Sequence, residues 1–311
     1  MNTLSEKLKH LISHDSVDEI RKVTGDIVKT AACKMKSKKS DVSGWYTSDA
    51  LLNAPDILFE QLAVLFRSWL THGTITPCML VCSFLPLLKS SLKDPCDPGS
   101  YRAIAGSSLI LKLFENVVIL LWGEYLSSDS LQFGFKTKTS TTHCTWFVTE
   151  VVQHLLRSGT HPIVTVLDCT KAFDLCKFSI LFRRMLENGV PPIVVRCLMF
   201  MYQEQKAGVR WGKVNSDEFN ITNGTRQGSV MSPILWAVYC DPMIKRLRRL
   251  GLGAHVAGMF MGVACFADDV ILMAPSHQAM QVMLNEVESF ATKYNIQFST
   301  ERKQQESSQA T

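Results

Sequence analysis

Eight apolar residues enclose two consecutive carboxylates in Ala264-Cys265-Phe266-Ala267-Asp268-Asp269-Val270-Ile271-Leu272-Met273. The flanking runs, residues 263–267 and 270–273, read as two short buried strands. One reading of the junction is a hairpin whose acidic turn faces water. Against it, Asp-Asp lacks the glycine that two-residue hairpin turns favour. Adjacent anions also repel each other, and a bound divalent cation would offset that repulsion. Residues 163–167 show the same design: an apolar, β-branched strand ending in Asp168. Three carboxylates from separate strands, if they converge, make an oxygen-rich site suited to magnesium. Their convergence is the expectation that a structure must meet.

Composition sets wide limits. With 46% hydrophobic and 20% charged residues among 311, the chain can build an ordinary globular core in one large domain or two smaller ones. A net charge of +5 suits a polyanionic partner without identifying one. Among the ten cysteines the closest couple, Cys78 and Cys82, has no Cys/His cluster beside it, which argues against structural zinc. They read as free, mostly buried thiols in a reducing intracellular compartment, with nucleus and cytoplasm unresolved. The opening residues are polar, unlike a signal peptide. The richest apolar run, 109–122, carries Lys112 and Glu115 and falls short of the about 20 residues of a membrane span. No membrane partner and no obligate protein partner is expected.

Apolar spacing places helices near 15–29, 50–70, 108–126, 141–156, 178–186, 232–239, 243–250 and 279–294. Strands are expected at 83–88, 163–167 and 296–298 besides the pair around Asp268-Asp269. Residues 92–101, with Pro95, Pro98 and Gly99, read as loop. Asn188-Gly189 and Pro191-Pro192 close the helix before them, and Asp241-Pro242 repeats the start signal of Ser232-Pro233. A polar hairpin over 208–221 has Asn215-Ser216-Asp217 at its turn. The basic runs at 34–39 and Lys245-Arg246-Leu247-Arg248-Arg249 read as solvated faces, with phosphate contact the alternative. Helices and strands mix without strict βαβ alternation, which points to an α+β fold.

Several motifs follow one another in order. They are Phe84-Leu85-Pro86-Leu87-Leu88-Lys89, Tyr101-Arg102-Ala103-Ile104, Gln132-Phe133-Gly134-Phe135-Lys136 with Ser140-Thr141, and Leu167-Asp168-Cys169-Thr170-Lys171-Ala172-Phe173-Asp174. Gly224-Thr225-Arg226-Gln227-Gly228-Ser229 with Ser232-Pro233, and Phe266-Ala267-Asp268-Asp269, complete the series. Together, from about residue 55 to residue 300, they resemble the reverse transcriptase domain of non-LTR (LINE-type) retrotransposons. That resemblance implies a right-hand polymerase fingers–palm core, with a small antiparallel palm sheet packed on helices. Residues 1–54 would be an N-terminal helical and basic extension and 55–300 the domain proper, with fingers about 76–165 and palm about 166–300. Residues 301–311 would be a disordered tail. Asp168, Asp268 and Asp269 would be the catalytic carboxylates holding two magnesium ions. Leu167 and Cys169 would act through their backbone, and Asp174 would be structural. Phe173 would lie under the incoming sugar and exclude a 2′-hydroxyl; as a bare residue it reads as core. Gln227 and Gly228 would line the dNTP pocket, although Arg-Gln-Gly by itself is a turn. Arg102, with Lys89 or Lys93 as further candidates, would reach the triphosphate; by itself it is an exposed charge.

Two departures from the pattern stand out. Ala103 occupies a position where the family has proline, a change of loop rigidity. After Phe298-Ser299-Thr300 the family continues through a lysine-bearing segment into a thumb, whereas here Glu301-Arg302-Lys303-Gln304-Gln305-Glu306 follows. The expectation is therefore a domain truncated before the thumb, lacking the family's endonuclease and gripping primer–template duplex poorly. Its function would be RNA-directed DNA synthesis on an RNA template with a DNA primer and dNTPs. The alternatives are a catalytically inactive remnant that still binds nucleic acid, and an unrelated metal-dependent hydrolase using the same aspartates.

Overall fold

The computed structural model describes residue 8 and residues 15–299, so the tail expected at 301–311 lies outside the described residues. In chain order the elements are α1 (Asp15–Arg21), α2 (Gly25–Ala32), α3 (Ser48–Leu52), α4 (Asp56–His72), β1 (Val81–Leu88), β2 (Tyr101–Gly106), α5 (Leu109–Trp122), α6 (Thr141–Arg157) and β3 (Ile163–Thr170). Then come α7 (Phe178–Glu187), α8 (Pro192–Gln203), β4 (Lys206–Trp211), β5 (Val214–Asn215), β6 (Phe219–Asn220) and α9 (Ser232–Leu250). The last are β7 (His255–Val256), β8 (Met259–Phe260), β9 (Val263–Phe266), β10 (Asp269–Ala274), α10 (His277–Tyr294) and β11 (Gln297–Phe298). They fall into two interleaved units: Met1–Ser128 with Cys176–Tyr239, and Asp129–Leu175 with Cys240–Thr311.

In the first unit, two helices expected as single pieces are each split. Thr24 caps α2, its hydroxyl accepting from the Ile27 N–H at 3.3 Å, and so ends α1. Pro55 flanks α4 because a proline there would remove an N–H from a continuous helix. Gly73, at φ 68, stops α4. The buried faces of α4 and α5 meet at Phe66, Trp69 and Phe114, whose ring centroids are 5.2 to 5.4 Å apart. Helix α8 was not foreseen: Pro191-Pro192 reads as a stop, yet Pro192 is the first helical residue, where a missing N–H has no consequence. The sheet of this unit has the order β2-β1-β4-β5, with β6 also on β4. β1 runs antiparallel to β2 and parallel to β4. The hairpin turns at Gly212, φ 61, and Lys213 rather than at Asn215-Ser216-Asp217; a residue free to take positive φ closes the tighter turn.

The second unit carries an antiparallel sheet in the order β11-β3-β10-β9. Cys144, Val151 and Leu155 of α6 pack with Ala264 of β9, Met273 of β10 and Ala254. Residues Ser232–Leu250 form the one helix α9, although two helices were expected; Pro242 is accommodated inside it. Asp241 does not restart the helix because its carboxylate, 1% exposed, accepts from the Asp129 N–H at 2.7 Å and pairs with Lys245. The basic stretch beyond is tied to acids. Arg248 bridges both oxygens of Asp129 at 2.7 and 2.9 Å, and Arg246 reaches Glu286 at 3.1 Å. All ten cysteines are free, as expected. Among the described residues, no helix is long and apolar enough to cross a membrane.

Candidate active site

Strand β3 runs two residues beyond Asp168, so the carboxylate projects from inside a strand rather than from its end. The register sets Asp168 directly opposite Asp269, the first residue of β10. Cross-strand partners carry their Cβ atoms about 4.5–5.5 Å apart on the same face. Phe266 pairs with Asp269, which leaves Ala267-Asp268 as a two-residue turn. The hairpin that the missing glycine argued against therefore forms, with Ala267 taking φ 58. The third carboxylate belongs to the same neighbourhood. Burial pushes the Cys169 thiol up, and the charges of Asp268, Asp168 and Asp269 all push it the same way.

Like charges set opposite each other on paired strands destabilise the pair, and a bound cation removes that repulsion. Among the described residues, no group of three or more His, Cys, Asp or Glu side chains is placed to hold a metal ion. Magnesium needs none: it takes hard oxygen ligands, and one or two carboxylates are completed by waters and substrate phosphates. By type, the carboxylates of Asp168, Asp268 and Asp269 are hard oxygen donors, which suit magnesium better than a soft metal. Phe173 follows β3 in a turn where Lys171 takes φ 49 and its carbonyl accepts from the Asp174 N–H at 2.9 Å. The Phe173 ring meets Phe135 edge-on at 6.1 Å.

The other candidates belong to the first unit. Arg102 sits on β2 opposite Leu87, exposed. Three residues on, the Ala105 N–H donates to the Gln227 carbonyl at 2.6 Å, which anchors the 225–230 loop to β2. Gly228 takes φ 113, and a Cβ there would lie 2.7 Å from the Ala105 oxygen, so only glycine fits. Beneath this loop lies a buried carboxylate that belongs to none of the motifs. Glu115, on α5, accepts from Arg226 at 3.0 Å and Ser229 Oγ at 2.8 Å through one oxygen, and from the Val230 N–H at 2.9 Å through the other. Both Glu115 and Arg226 side chains are 1% exposed. The Arg226 guanidinium also lies 5.7 Å from the Tyr202 ring centroid. The clue was present: a carboxylate inside a 14-residue apolar helix needs a buried partner.

A family model described as reverse transcriptase (RNA-dependent DNA polymerase) matches residues 88–310. The chain belongs to the reverse transcriptase family. Over 288 residues this reverse transcriptase domain is 23% identical to the retrovirus-related Pol polyprotein of the type-1 retrotransposable element R2 from Nasonia vitripennis, covering 91% of this chain and 26% of that one. Its identity to the RNA-directed DNA polymerase from mobile element jockey of Drosophila melanogaster is 23% over 290 residues, 90% of this chain and 31% of the other. The chain thus spans about a quarter to a third of these relatives. Telomerase from Candida albicans shares the fold, with a TM-score of 0.50 at 11% identity over 80% of this chain and 46% of that one. The right-hand polymerase class and the retrotransposon kinship expected from the motifs both hold.

Proposed function

We propose that this domain is the core of an RNA-directed DNA polymerase that extends a DNA primer on an RNA template with dNTPs, using magnesium. The observation that carries the reading is the strand register: Asp168 faces Asp269, with Asp268 in the adjoining turn. Asp168, Asp268 and Asp269 would hold two magnesium ions. Bound there, the ions would favour deprotonation of the primer 3′-hydroxyl and neutralise charge on the leaving pyrophosphate. The protein's own share is positioning and electrostatics. The paired strands fix Asp168 and Asp269 on one face, which leaves little reorganisation at the moment of reaction. Gly228 lets main chain approach a ligand closely, and Gln227 offers an amide of either hydrogen-bonding sense. Arg102 would give the triphosphate a forked, bidentate contact. Phe173 would press against the sugar and disfavour a 2′-hydroxyl, so ribonucleotides would be poor substrates.

Primer extension on an RNA template with Mg2+ and dNTPs tests this. Activity abolished in Asp268→Asn supports the polymerase. Folded protein that binds duplex but extends no primer instead makes the chain a non-catalytic nucleic-acid binder, and phosphodiester cleavage without dNTPs makes it a hydrolase.

A further inference from the structure

The turn that carries Asp268 is conformationally costly. Ala267 is not glycine, yet it takes φ 58, a region that costs an L-residue roughly 1–2 kcal/mol. Such a conformation persists only where its surroundings over-determine it. Gln132, 1% exposed, supplies the surroundings. Its side-chain oxygen accepts from the Gly134 N–H at 2.8 Å and from the Ala267 N–H at 3.1 Å, and its nitrogen donates to the Ala267 carbonyl at 3.3 Å. The main chain around it is laced to β9: the Cys265 N–H donates to Leu131 at 2.8 Å, and the Phe133 N–H donates to Cys265 at 2.7 Å. Gly134 abuts the same turn so closely that a Cβ would sit 2.1 Å from the Ala267 nitrogen.

The chemistry of this contact selects glutamine. Holding both an N–H and a carbonyl of Ala267 takes one acceptor and one donor on the same side chain. A carboxylate would only accept, and asparagine is one methylene too short. We propose that Gln132 is a positioning residue: it clamps the Ala267-Asp268 turn and so sets the carboxylates of Asp268 and Asp269 relative to Asp168. This rests on the reading of those aspartates as metal ligands. Loss of an outer partner that orients metal ligands typically lowers metal affinity or activity by about 10–100-fold.

The test compares the unaltered protein, Gln132→Met, Ala267→Gly and the double variant. Mn2+ affinity is read by titration calorimetry, and primer extension gives kcat, dNTP KM and the Mg2+ half-saturation. Gln132→Met is expected to weaken Mn2+ binding about tenfold and to lower kcat about as much while dNTP KM stays within about twofold. Glycine takes positive φ without strain, so Ala267→Gly should recover part of the Mn2+ affinity lost in Gln132→Met. Equal Mn2+ affinity and kcat in folded Gln132→Met, or equal losses in both backgrounds, overturns the proposal. If the unaltered protein binds Mn2+ but extends no primer, the polymerase reading falls and the Mn2+ affinities alone decide on Gln132. If it binds no Mn2+, both fall. Hydrogen exchange of the Ala267 amide needs no variant: strong protection is expected, and exchange at the rate of an open turn overturns the clamp.

Discussion

Replacing Glu115 by alanine removes three acceptor contacts at once and leaves the Arg226 guanidinium, 1% exposed, without its carboxylate. Hydrogen bonds to charged groups contribute about 1.5–3 kcal/mol each, but three bonds to one carboxylate do not add, because the ion is itself costly to bury. Breaking a buried pair from one side costs about 3–5 kcal/mol, and that is the expected loss for Glu115→Ala. With a urea slope of about 2 kcal/mol per molar, the midpoint should fall by about 2 M. Glu115→Met with Arg226→Met tells pairing from packing. Apolar replacement of a buried pair is often neutral or stabilising, so the double variant should recover most of the loss, short of about 1 kcal/mol for each N–H or hydroxyl left unpaired at Val230 and Ser229. Urea unfolding followed by near-ultraviolet circular dichroism reads all of these. A cost below about 1 kcal/mol for Glu115→Ala, or a double variant as unstable as the sum of the two single ones, refutes the reasoning.

Gly228→Ala should unfasten the 225–230 loop, since its Cβ meets the Ala105 oxygen at 2.7 Å and its φ of 113 suits glycine alone. A stability loss of about 1–3 kcal/mol is expected together with a raised dNTP KM, and unchanged KM in primer extension would count against the pocket assignment. Burial pushes the thiols of Cys169, Cys176 and Cys265 up, and that of Cys197 up to about 12. Folded chains therefore keep protons that unfolded chains release near pH 9, so stability should fall as pH rises beyond that point; urea midpoints between pH 7 and 10.5 check it, and a flat profile contradicts it. At pH 8 a disulfide reagent should label Cys33, Cys78 and Cys96, which are exposed, well before Cys169. Peptide mapping that finds Cys169 modified first would place its thiol in a different environment.

Much of the candidate site was legible because its residues announce themselves locally. Asp168 and Asp268-Asp269 interrupt apolar strands, and a charge in such a setting needs a purpose. What was not legible is pairing: nothing in residues 163–170 names β10 as their partner, and the opposition of Asp168 to Asp269 is a property of register alone. Local punctuation also misled in both directions. Pro192 opens a helix where two prolines read as an end, and Pro242 sits within one where Asp-Pro read as a beginning. Strand β2 follows a Pro/Gly loop directly, and Arg102-Ala103 shows no apolar alternation, so only its pairing with β1 makes it a strand. Glu115 was visible as an anomaly, but its partners lie 111 to 115 residues away.

The same distance in sequence governs how the aspartates come together in time. Between Asp168 and Asp269 the chain closes a loop of 269 − 168 = 101 residues, at an entropic cost of about 4 kcal/mol beyond the constant of loop closure. The hairpin of β9 and β10 is local and can form by itself, whereas its union with β3 is a high-contact-order event and therefore slow. A ribosome releasing this chain would expose Asp168 long before its opposite number exists. The candidate centre is thus a late product of folding, and variants that slow the docking of β3 on β10 should accumulate chains with a formed hairpin and no assembled centre.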